Sequence, residues 1–286
     1  MPFYPFPDSR ASKRAMAKTC ALFLLLALLS PLALAGDTWT APFAGIRLLK
    51  RTTSAPRTLE IFALEVDLSN PRIVLRSTAY GERKQTPGEF AKTVNAHAAI
   101  NADFYNMQTF IPRGMAAGNG ALWPNSADNA SRAVFAFGPG RAEIYPQADI
   151  TVFDPGWMTG AISGFPDIVR DGRAVSPHAS ASKNSHALHP RTAIGLSRDK
   201  KTLWLVVVDG RSAVSGGVTC EELGVLMKDL GAHSAINLDG GGSSALVVKT
   251  GKSYPAINTP SGGKQRTVAN HLAVIVLDAP PETRKD

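Results

Sequence analysis

Short runs of apolar or alternating residues recur along the chain at the length of β-strands. Alternation of apolar and polar residues predicts a strand with one buried face, and a continuous short apolar run predicts a strand buried on both faces. β-Branched and aromatic residues, which favour strands, are frequent in these runs. Nine runs are predicted as strands: LEIFALEVDL (59–68), RIVLRST (72–78), AAINADFY (98–105), AVFAF (133–137), TAIGL (192–196), TLWLVVVDG (202–210), SAINL (234–238), SALVVK (244–249) and HLAVIVL (271–277).

Two segments carry the pattern of helices. The first, 86–95, has Pro87 in its first turn, where a missing backbone N–H costs nothing. The second begins at Thr219, which forms a T-x-x-E capping box with Glu222, and it ends at Gly231. One face of this second helix is apolar and consists of Leu223, Leu226, Met227 and Leu230.

Strands outnumber helices, which predicts an α+β fold: a single strand-rich domain with a mixed sheet covered by a few helices. Segments 115–131 and 176–190 are rich in Gly, Pro, Ser and Asn without periodicity, so we expect loops there. The sequence shows neither an internal repeat nor an interdomain linker. We therefore predict one domain over 36–286.

The first thirty-five residues have the composition of a secretory signal peptide. Four basic residues precede the apolar run 21–29, and Ala33-Leu34-Ala35 provides a small-residue cleavage site before Gly36. A membrane anchor is the alternative, but the run is interrupted by Ser30-Pro31 and is shorter than the ~20 residues that span a bilayer. We expect residues 1–35 to be removed, leaving no stable membrane span in a periplasmic or secreted protein.

Charge and cysteine content narrow the function classes. Removing the four basic residues and the one acidic residue of segment 1–35 lowers the net charge from +8 to +5. The remaining Lys and Arg residues are scattered, with no basic helix, so they are interpreted first as an ordinary solvated surface. If they bind a partner, the sequence favours anionic ligands or surfaces and not nucleic acid. Cys220 is the only cysteine after residue 35, which excludes an intrachain disulfide in the mature protein. The oligomeric state is left open.

Three consecutive glycines, Gly240, Gly241 and Gly242, follow a predicted strand in INLDGGGSSAL (236–246). Glycines lose much backbone entropy on ordering, so their presence indicates unusual backbone angles or a close approach by another group. The run is not a Walker A or Rossmann phosphate loop, because a strand and not a helix follows Ser243. Two interpretations remain: a tight turn, or a loop whose backbone N–H groups bind an anion.

Polar side chains stand where predicted strands end. Asn101 and Asp103 follow one apolar run, Asp209 follows a second, and Asn237 and Asp239 follow a third. Side chains at strand ends often converge on one rim of a sheet, so these residues are expected to share a pocket. Paired carboxylates can divide acid, base and nucleophile roles in glycoside cleavage, or hold a divalent cation such as Ca²⁺ or Mg²⁺, although no motif in the sequence requires a cofactor.

Arginines near these strand ends add anion-binding groups, since the planar guanidinium suits phosphate or carboxylate. Arg191 and Arg211 are the candidates. A serine hydrolase is a weaker hypothesis, because GGSSA (241–245) lacks the strand-to-helix turn of a nucleophile elbow. The six histidines show no zinc-ligand spacing, and His186 and His189 are interpreted as solvated loop residues.

Residues 189–248, HPRTAIGLSRDKKTLWLVVVDGRSAVSGGVTCEELGVLMKDLGAHSAINLDGGGSSALVV, closely resemble the phosphodiester glycosidase family. The resemblance extends to INADFY (100–105), ISGFPDIVRDG (162–172) and INTPSGGKQRTVANHLAVIV (257–276), so it covers most of the chain after residue 35. It implies a carbohydrate or sugar-phosphate substrate. The chain departs from the family at Ala102-Asp103, where many relatives have glycine, and this adds a carboxylate to the expected pocket.

The resemblance implies site residues by position. Asp239, Asp209 and Arg191 are assigned to catalysis: an aspartate activates water or supports the cationic sugar centre, while Arg191 and the loop amides stabilise the leaving phosphate. Which aspartate attacks is left open. The implied substrate-binding residues are Asn101, Asn237, Gly240, Gly241, Gly242, Ser243, Asn258 and Arg266. Asp103, which departs from the family pattern, is added to the expected substrate-binding residues because of its place at a strand end.

The sequence thus predicts an exported hydrolase that cleaves a sugar-1-phosphodiester bond in a surface glycan or its fragments. The alternative is a non-catalytic protein that binds polysaccharide or assists its export through the same pocket.

Overall fold

The computed structural model describes residues 36–126, 132–147, 149, 152–176 and 183–278, so the predicted signal peptide lies outside the described residues. The strands are β1 (Gly36–Phe43), β2 (Ile46–Thr53), β3 (Leu59–Asp67), β4 (Ile73–Ser77), β5 (Ala98–Asn101), β6 (Ala117–Gly118), β7 (Ala121–Leu122), β8 (Ala133–Gly138), β9 (Arg141–Tyr145), β10 (Gly160–Gly164), β11 (Asp167–Arg170), β12 (Arg173–Ala174), β13 (Arg191–Leu196), β14 (Thr202–Val208), β15 (Ser234–Asn237), β16 (Leu246–Val248) and β17 (His271–Val276). The helices are α1 (Pro87–Thr93), α2 (Lys183–His186) and α3 (Cys220–Asp229), with 3₁₀ turns at Tyr80–Glu82 and Gly241–Ser243.

The strands form three sheets. Eight strands lie in the order β1-β2-β3-β14-β13-β15-β11-β12, five in the order β7-β6-β10-β8-β9, and four in the order β16-β5-β17-β4. All strand pairs in the described ranges are antiparallel. The predicted mixed sheet is therefore wrong. Hydrophobic alternation fixes which face of a strand is buried, but it carries no information about the direction of the neighbouring strand.

One hydrophobic core is shared by the three sheets. Ile194 and Leu205 reach it from the eight-stranded sheet, Ile100 and Leu272 from the four-stranded sheet, and Phe135 from the five-stranded sheet. The eight-stranded sheet is covered on both faces, by this core and by a second cluster that includes α3, so the apolar run of its central strand β14 is continuous. Burial of each such side chain stabilises the fold by about 1.5–3 kcal/mol relative to an exposed position.

The helices cover the outer faces of two sheets. Leu223 and Met227 of α3 pack on Trp204 and Val206 of the eight-stranded sheet, while Phe90 of α1 packs on the four-stranded sheet. Both helices begin with capping boxes, of which the one at Thr219 was predicted and the one at Thr86 was not. Thr219 Oγ1 accepts from the Glu222 N–H at 3.1 Å, and Thr86 Oγ1 accepts from the Glu89 N–H at 3.2 Å. The helix predictions are confirmed.

All nine predicted runs contain strands, and the sequence missed β1, β2, β6, β7 and β9–β12. Most of these are short or lie at sheet edges, where exposure on both faces removes the alternation; β1 is an example. Segment 115–131 was expected to be a loop, yet β6 and β7 fall in it, and α2 falls in 176–190. Residues 127–131 and 177–182 lie outside the described ranges.

Antiparallel pairing brings the polar strand ends to one rim. Arg191 at the start of β13 pairs with Val208 at the end of β14, and Ala193 pairs with Asn237 at the end of β15. In the four-stranded sheet, Asn101 at the end of β5 pairs with His271 at the start of β17. Within the described ranges, no helix has the length and apolar character needed to cross a bilayer.

Candidate active site

The glycine loop, residues 240–243, connects β15 of the eight-stranded sheet to β16 of the four-stranded sheet. It turns through the 3₁₀ segment Gly241–Ser243 and is held by a hydrogen bond from the Gly241 N–H to the Pro190 carbonyl at 2.8 Å. The strand-to-strand connection predicted for this loop is confirmed.

At each of the three loop positions, close contacts with neighbouring groups explain why the residue is glycine. A Cβ on Gly240 would lie 2.8 Å from the Pro190 carbonyl oxygen. Gly241 has φ +59°, and a Cβ there would lie 3.1 Å from Arg211 Nη2. A Cβ on Gly242 would overlap the guanidinium of Arg266. The three glycines therefore let a backbone carbonyl and two guanidinium groups approach the loop.

Asp239 precedes the loop and is partly exposed. Burial raises the pKa of its carboxyl to about 6, while the Ser243 hydroxyl, Arg266, the Gly240 amide and Arg113 limit the rise. A carboxyl with this pKa changes its protonation state near neutral pH, which suits an acid or base in hydrolysis.

Three exposed arginines lie around Asp239: Arg211 and Arg266 against the glycine loop, and Arg113, whose charge acts on the Asp239 carboxyl. Among the described residues, none of the three forms a salt bridge. Arg266 Nη1 donates to Ser243 Oγ at 3.3 Å. These guanidiniums are available to an anion, and their planar geometry suits phosphate or carboxylate.

Sequence reasoning named Arg211 as a candidate anion-binding arginine but did not include it among the catalytic or substrate-binding residues, and it missed Arg113 and Tyr105. Tyr105 is buried beside the loop, and burial together with the negative charge of Asp239 raises the pKa of its hydroxyl. Arg211 adopts φ +62°, an unusual angle for arginine, which turns its side chain across Gly241. Its place directly after the Asp209-Gly210 pair was the available sequence signal.

A buried hydrogen-bond network lies beneath the loop. Asn101 Nδ2 donates to the Asp239 carbonyl at 2.6 Å, and Asn101 Oδ1 accepts from Thr192 Oγ1 at 3.0 Å and from the Ala245 N–H at 3.1 Å. Thr192 Oγ1 also lies 3.2 Å from Ser244 Oγ. Asn101, which was expected to bind substrate, is thus fully engaged in holding the loop.

Asp209 lies in the same network, on its inner side. Its carboxylate is buried and accepts from Asn258 Nδ2 at 2.8 Å and from the Thr259 N–H at 2.7 Å. Burial raises its pKa, and Asn258 and Thr259 act in the opposite direction. Asn258 also donates to the Ser244 carbonyl at 3.2 Å, which connects Asp209 to the end of the loop.

Arg191 is buried behind the loop. Its Nε donates to the Val218 carbonyl at 3.0 Å, and its Nη2 donates to the carbonyls of Asn184 at 2.5 Å and Ala187 at 2.8 Å. Burial lowers the pKa of the guanidinium. Three backbone acceptors thus occupy the group that was predicted to stabilise the leaving phosphate, and Arg211 and Arg266 occupy the exposed positions.

Asp103 lies deeper than expected. Ser163 donates to its Oδ1 from both N–H and Oγ at 2.7 Å, and Asn270 donates to its Oδ2 at 2.7 Å. Burial raises the pKa of this carboxyl to about 7. Asn237 donates to the Phe165 carbonyl at 2.6 Å, and its buried Oδ1 has no partner among the described residues. Both side chains are buried rather than exposed at the rim.

The site geometry also bears on two other hypotheses, a metal site and a serine nucleophile. No group of three or more His, Cys, Asp and Glu residues able to hold a metal occurs in the described part of the chain. Ser243 and Ser244 are buried, and their hydroxyls contact Arg266 and Thr192 respectively. Neither hydroxyl, in the ranges described, has a hydrogen bond to a histidine base of the kind that a serine nucleophile requires.

Comparisons with known proteins show which sequences and structures this chain is similar to. The sequence model of the family described as phosphodiester glycosidase matches residues 94–275. The SPbeta prophage-derived uncharacterized protein YomE of Bacillus subtilis strain 168 is 28% identical over 247 residues, covering 83% of this chain and 37% of that protein. The chain therefore spans little more than a third of the length of this curated relative.

Solved structures share the fold. A hypothetical protein from Synechocystis aligns with a TM-score of 0.68 and 15% identity, over 86% of this chain and 64% of that one. The catalytic domain of zebrafish N-acetylglucosamine-1-phosphodiester alpha-N-acetylglucosaminidase, auto-inhibited by its pro-peptide, aligns with a TM-score of 0.64 and 20% identity, over 87% of this chain and 85% of that one. Because the family model matches more than half of the sequence, the chain belongs to the phosphodiester glycosidase family.

Proposed function

We propose that this protein is an exported glycosidase that hydrolyses a sugar-1-phosphodiester bond in a surface glycan or its fragments. The observation that carries the proposal is the placement of one partly exposed carboxyl, Asp239, directly before the glycine loop against which Arg211 and Arg266 pack. Family membership supports the bond that is cleaved. Export rests on the composition of residues 1–35.

The leaving group explains why arginines surround the site. When the bond between the anomeric carbon and a phosphodiester oxygen breaks, the phosphate departs with the electron pair and is a weak base. Its departure therefore needs stabilisation of negative charge more than a strong proton donor. Arg211 and Arg266 provide that stabilisation in the proposed mechanism. In the proposed mechanism Arg191 holds the backbone at Val218 and Ala187 in place and does not contact the substrate.

Asp239 is the carboxyl that we assign to the reacting sugar. Its pKa near 6 leaves most of it ionised at neutral pH, so it can accept a proton from water or stabilise the developing positive charge at the anomeric carbon. Asp209 supports the site from below, because Asn258 and Thr259 already bind both of its oxygens.

A substrate screen tests the proposal. The purified protein is incubated with α-linked sugar-1-phosphodiesters, and the released reducing sugar is measured. We expect turnover by the wild type and a fall of at least about 1,000-fold in kcat/KM for Asp239→Asn, the size expected when a catalytic carboxyl is lost. Asp171→Asn is the matched control, because Asp171 is exposed at the opposite end of the sheet and has φ +51°, which asparagine tolerates.

Two results would contradict the proposal. The first is equal activity of Asp239→Asn and wild type, which would reject the catalytic role assigned to Asp239. The second is calorimetric binding of a glycan without turnover and without any effect of Asp239→Asn, which would favour the alternative of a polysaccharide-binding or export-assisting protein.

A further inference from the structure

The backbone at His189-Pro190 is enclosed by glycines from three segments. A Cβ on Gly210 would lie 2.7 Å from the Pro190 nitrogen, one on Gly217 would lie 2.6 Å from the His189 carbonyl group, and one on Gly240 would lie 2.8 Å from the Pro190 oxygen. His189 also exchanges two backbone hydrogen bonds with Val218, at 3.2 and 3.0 Å. The position of the His189 backbone is therefore tightly fixed beside the glycine loop.

The side chain of His189 contacts one of the arginines on that loop. Arg211 Nη2 lies 3.2 Å from His189 Nδ1. A guanidinium can only donate, so Nδ1 must be the unprotonated acceptor and the ring proton must be on Nε2. The same Nη2 lies above the Cα of Gly241, so His189 and Gly241 define two sides of the space that Arg211 occupies.

The surroundings of His189 favour its neutral form. Burial lowers the pKa of its imidazole, and the charges of Arg191 and Arg211 lower it further. At neutral pH the ring is therefore uncharged. Only the uncharged ring has a nitrogen that can accept a hydrogen bond from Arg211.

We propose that His189 is a positioning residue that holds the Arg211 guanidinium, through a hydrogen bond accepted at Nδ1, at the anion-binding side of the glycine loop. The proposal rests on the proposed function and deepens it, since it names the group that orients the phosphate-binding arginine. Arg211 is exposed, and an arginine side chain is flexible when nothing holds it. Because His189 already holds the guanidinium in place, less conformational freedom is lost when the anion binds.

The tautomer of His189 gives a test that does not depend on substrate. Long-range ¹H–¹⁵N correlation spectra of the wild type, at pH about 8 where the imidazole is neutral, report which ring nitrogen carries the proton. We expect the Nε2–H tautomer in the wild type, and a shift of the Nδ1 resonance in Arg211→Gln. A proton on Nδ1 would overturn the proposal.

Asparagine and glutamine variants give the second test. In His189→Asn the amide oxygen takes about the place of Nδ1, whereas in His189→Gln the amide lies near the place of Nε2. We measure the affinity for inorganic sulfate, a tetrahedral anion that does not titrate in this range, and kcat/KM for a sugar phosphodiester. We expect His189→Gln to weaken both about five- to tenfold, the value of one hydrogen bond, and His189→Asn to stay within about twofold of the wild type.

Arg211→Gln provides the coupling control. Adding His189→Gln to Arg211→Gln should change sulfate affinity by less than about twofold, because the partner that His189 Nδ1 has among the described residues is then gone. A full additional loss in the double variant, or equal effects of the asparagine and glutamine variants, would show a merely structural role. Failure of the wild type to hydrolyse any sugar phosphodiester would reject the proposed function, while the tautomer measurement would still decide the role of His189.

Discussion

The Asp239 carboxyl is partly withdrawn from water, and this raises its pKa from 3.8 to about 6. Below about pH 4 the carboxyl is protonated in both the folded and the unfolded protein, so its burial costs little. Between about pH 4 and pH 6 the folded state holds a proton that the unfolded state has lost. The free energy of unfolding therefore falls across this range. The feature that suits Asp239 to chemistry thus lowers stability at neutral pH.

We predict that Asp239→Asn increases the free energy of unfolding at pH about 8 by roughly 1–2 kcal/mol, a value reduced from the full pKa shift because the carboxyl is partly exposed. The increase should disappear near pH 4, where the wild-type carboxyl is protonated. Urea unfolding at the two pH values measures both differences, and Asp171→Asn provides the control. A gain of equal size at both pH values would mean that the pKa of Asp239 is not raised.

The arginines show where residue-level prediction from sequence stops. Arg191 stands at a strand end as expected, yet its guanidinium binds the carbonyls of Val218 and Ala187. Arg211 and Arg266 are the exposed guanidiniums. The position of Arg211 depends on its positive φ angle, and that of Arg266 depends on its packing against Gly242. No local pattern in the sequence distinguishes an arginine that holds backbone from one that faces solvent.

Elements with strong periodicity could be predicted, and the others could not. Strand β14 and helix α3 are buried on a continuous face and carry clear turn or capping residues, so the sequence specifies them. The two-residue strands β6 and β7 pair with each other, and β6 also pairs with β10, which lies more than forty residues later in the chain. Strands this short show no periodicity, and the pairing with β10 is not visible in the local sequence, which is why the composition indicated a loop.

The glycine loop allows a matched comparison between two glycines. Gly241 has φ +59° with Arg211 against it, and Gly251 has φ +60° with nothing within 4 Å of a Cβ. Alanine at either position incurs the left-handed backbone strain, about 1–2 kcal/mol. Only alanine at Gly241 also displaces a guanidinium.

We therefore predict that Gly241→Ala and Gly251→Ala lose similar stability in thermal unfolding, about 1–2 kcal/mol each. Hydrolysis of a sugar phosphodiester should fall about tenfold or more in Gly241→Ala, because Arg211 moves, and should be unchanged in Gly251→Ala. Equal kcat/KM in the two variants would show that a side chain at Gly241 does not disturb anion binding by Arg211.

At the scale of the whole molecule, the site depends on how two sheets meet. Asn101 ends a strand of the four-stranded sheet, and Thr192 lies in the eight-stranded sheet, ninety-one residues later in the chain. The sequence predicted that polar strand ends would converge. It could not show that Asn101 would face inward, because that depends on the angle at which the sheets pack.

The Asn101–Thr192 contact gives the last prediction. Asn101→Ala leaves the Asp239 carbonyl and the Ala245 N–H without their buried partner, so we expect a loss of about 2–4 kcal/mol in urea unfolding. Thr192→Val keeps the shape and removes the hydroxyl, at a cost of about 1–2 kcal/mol. Because the two side chains share a hydrogen bond, the double variant should lose less than the sum of the single losses by at least about 0.5 kcal/mol. Strictly additive losses would show that the two sheets are joined independently of this network.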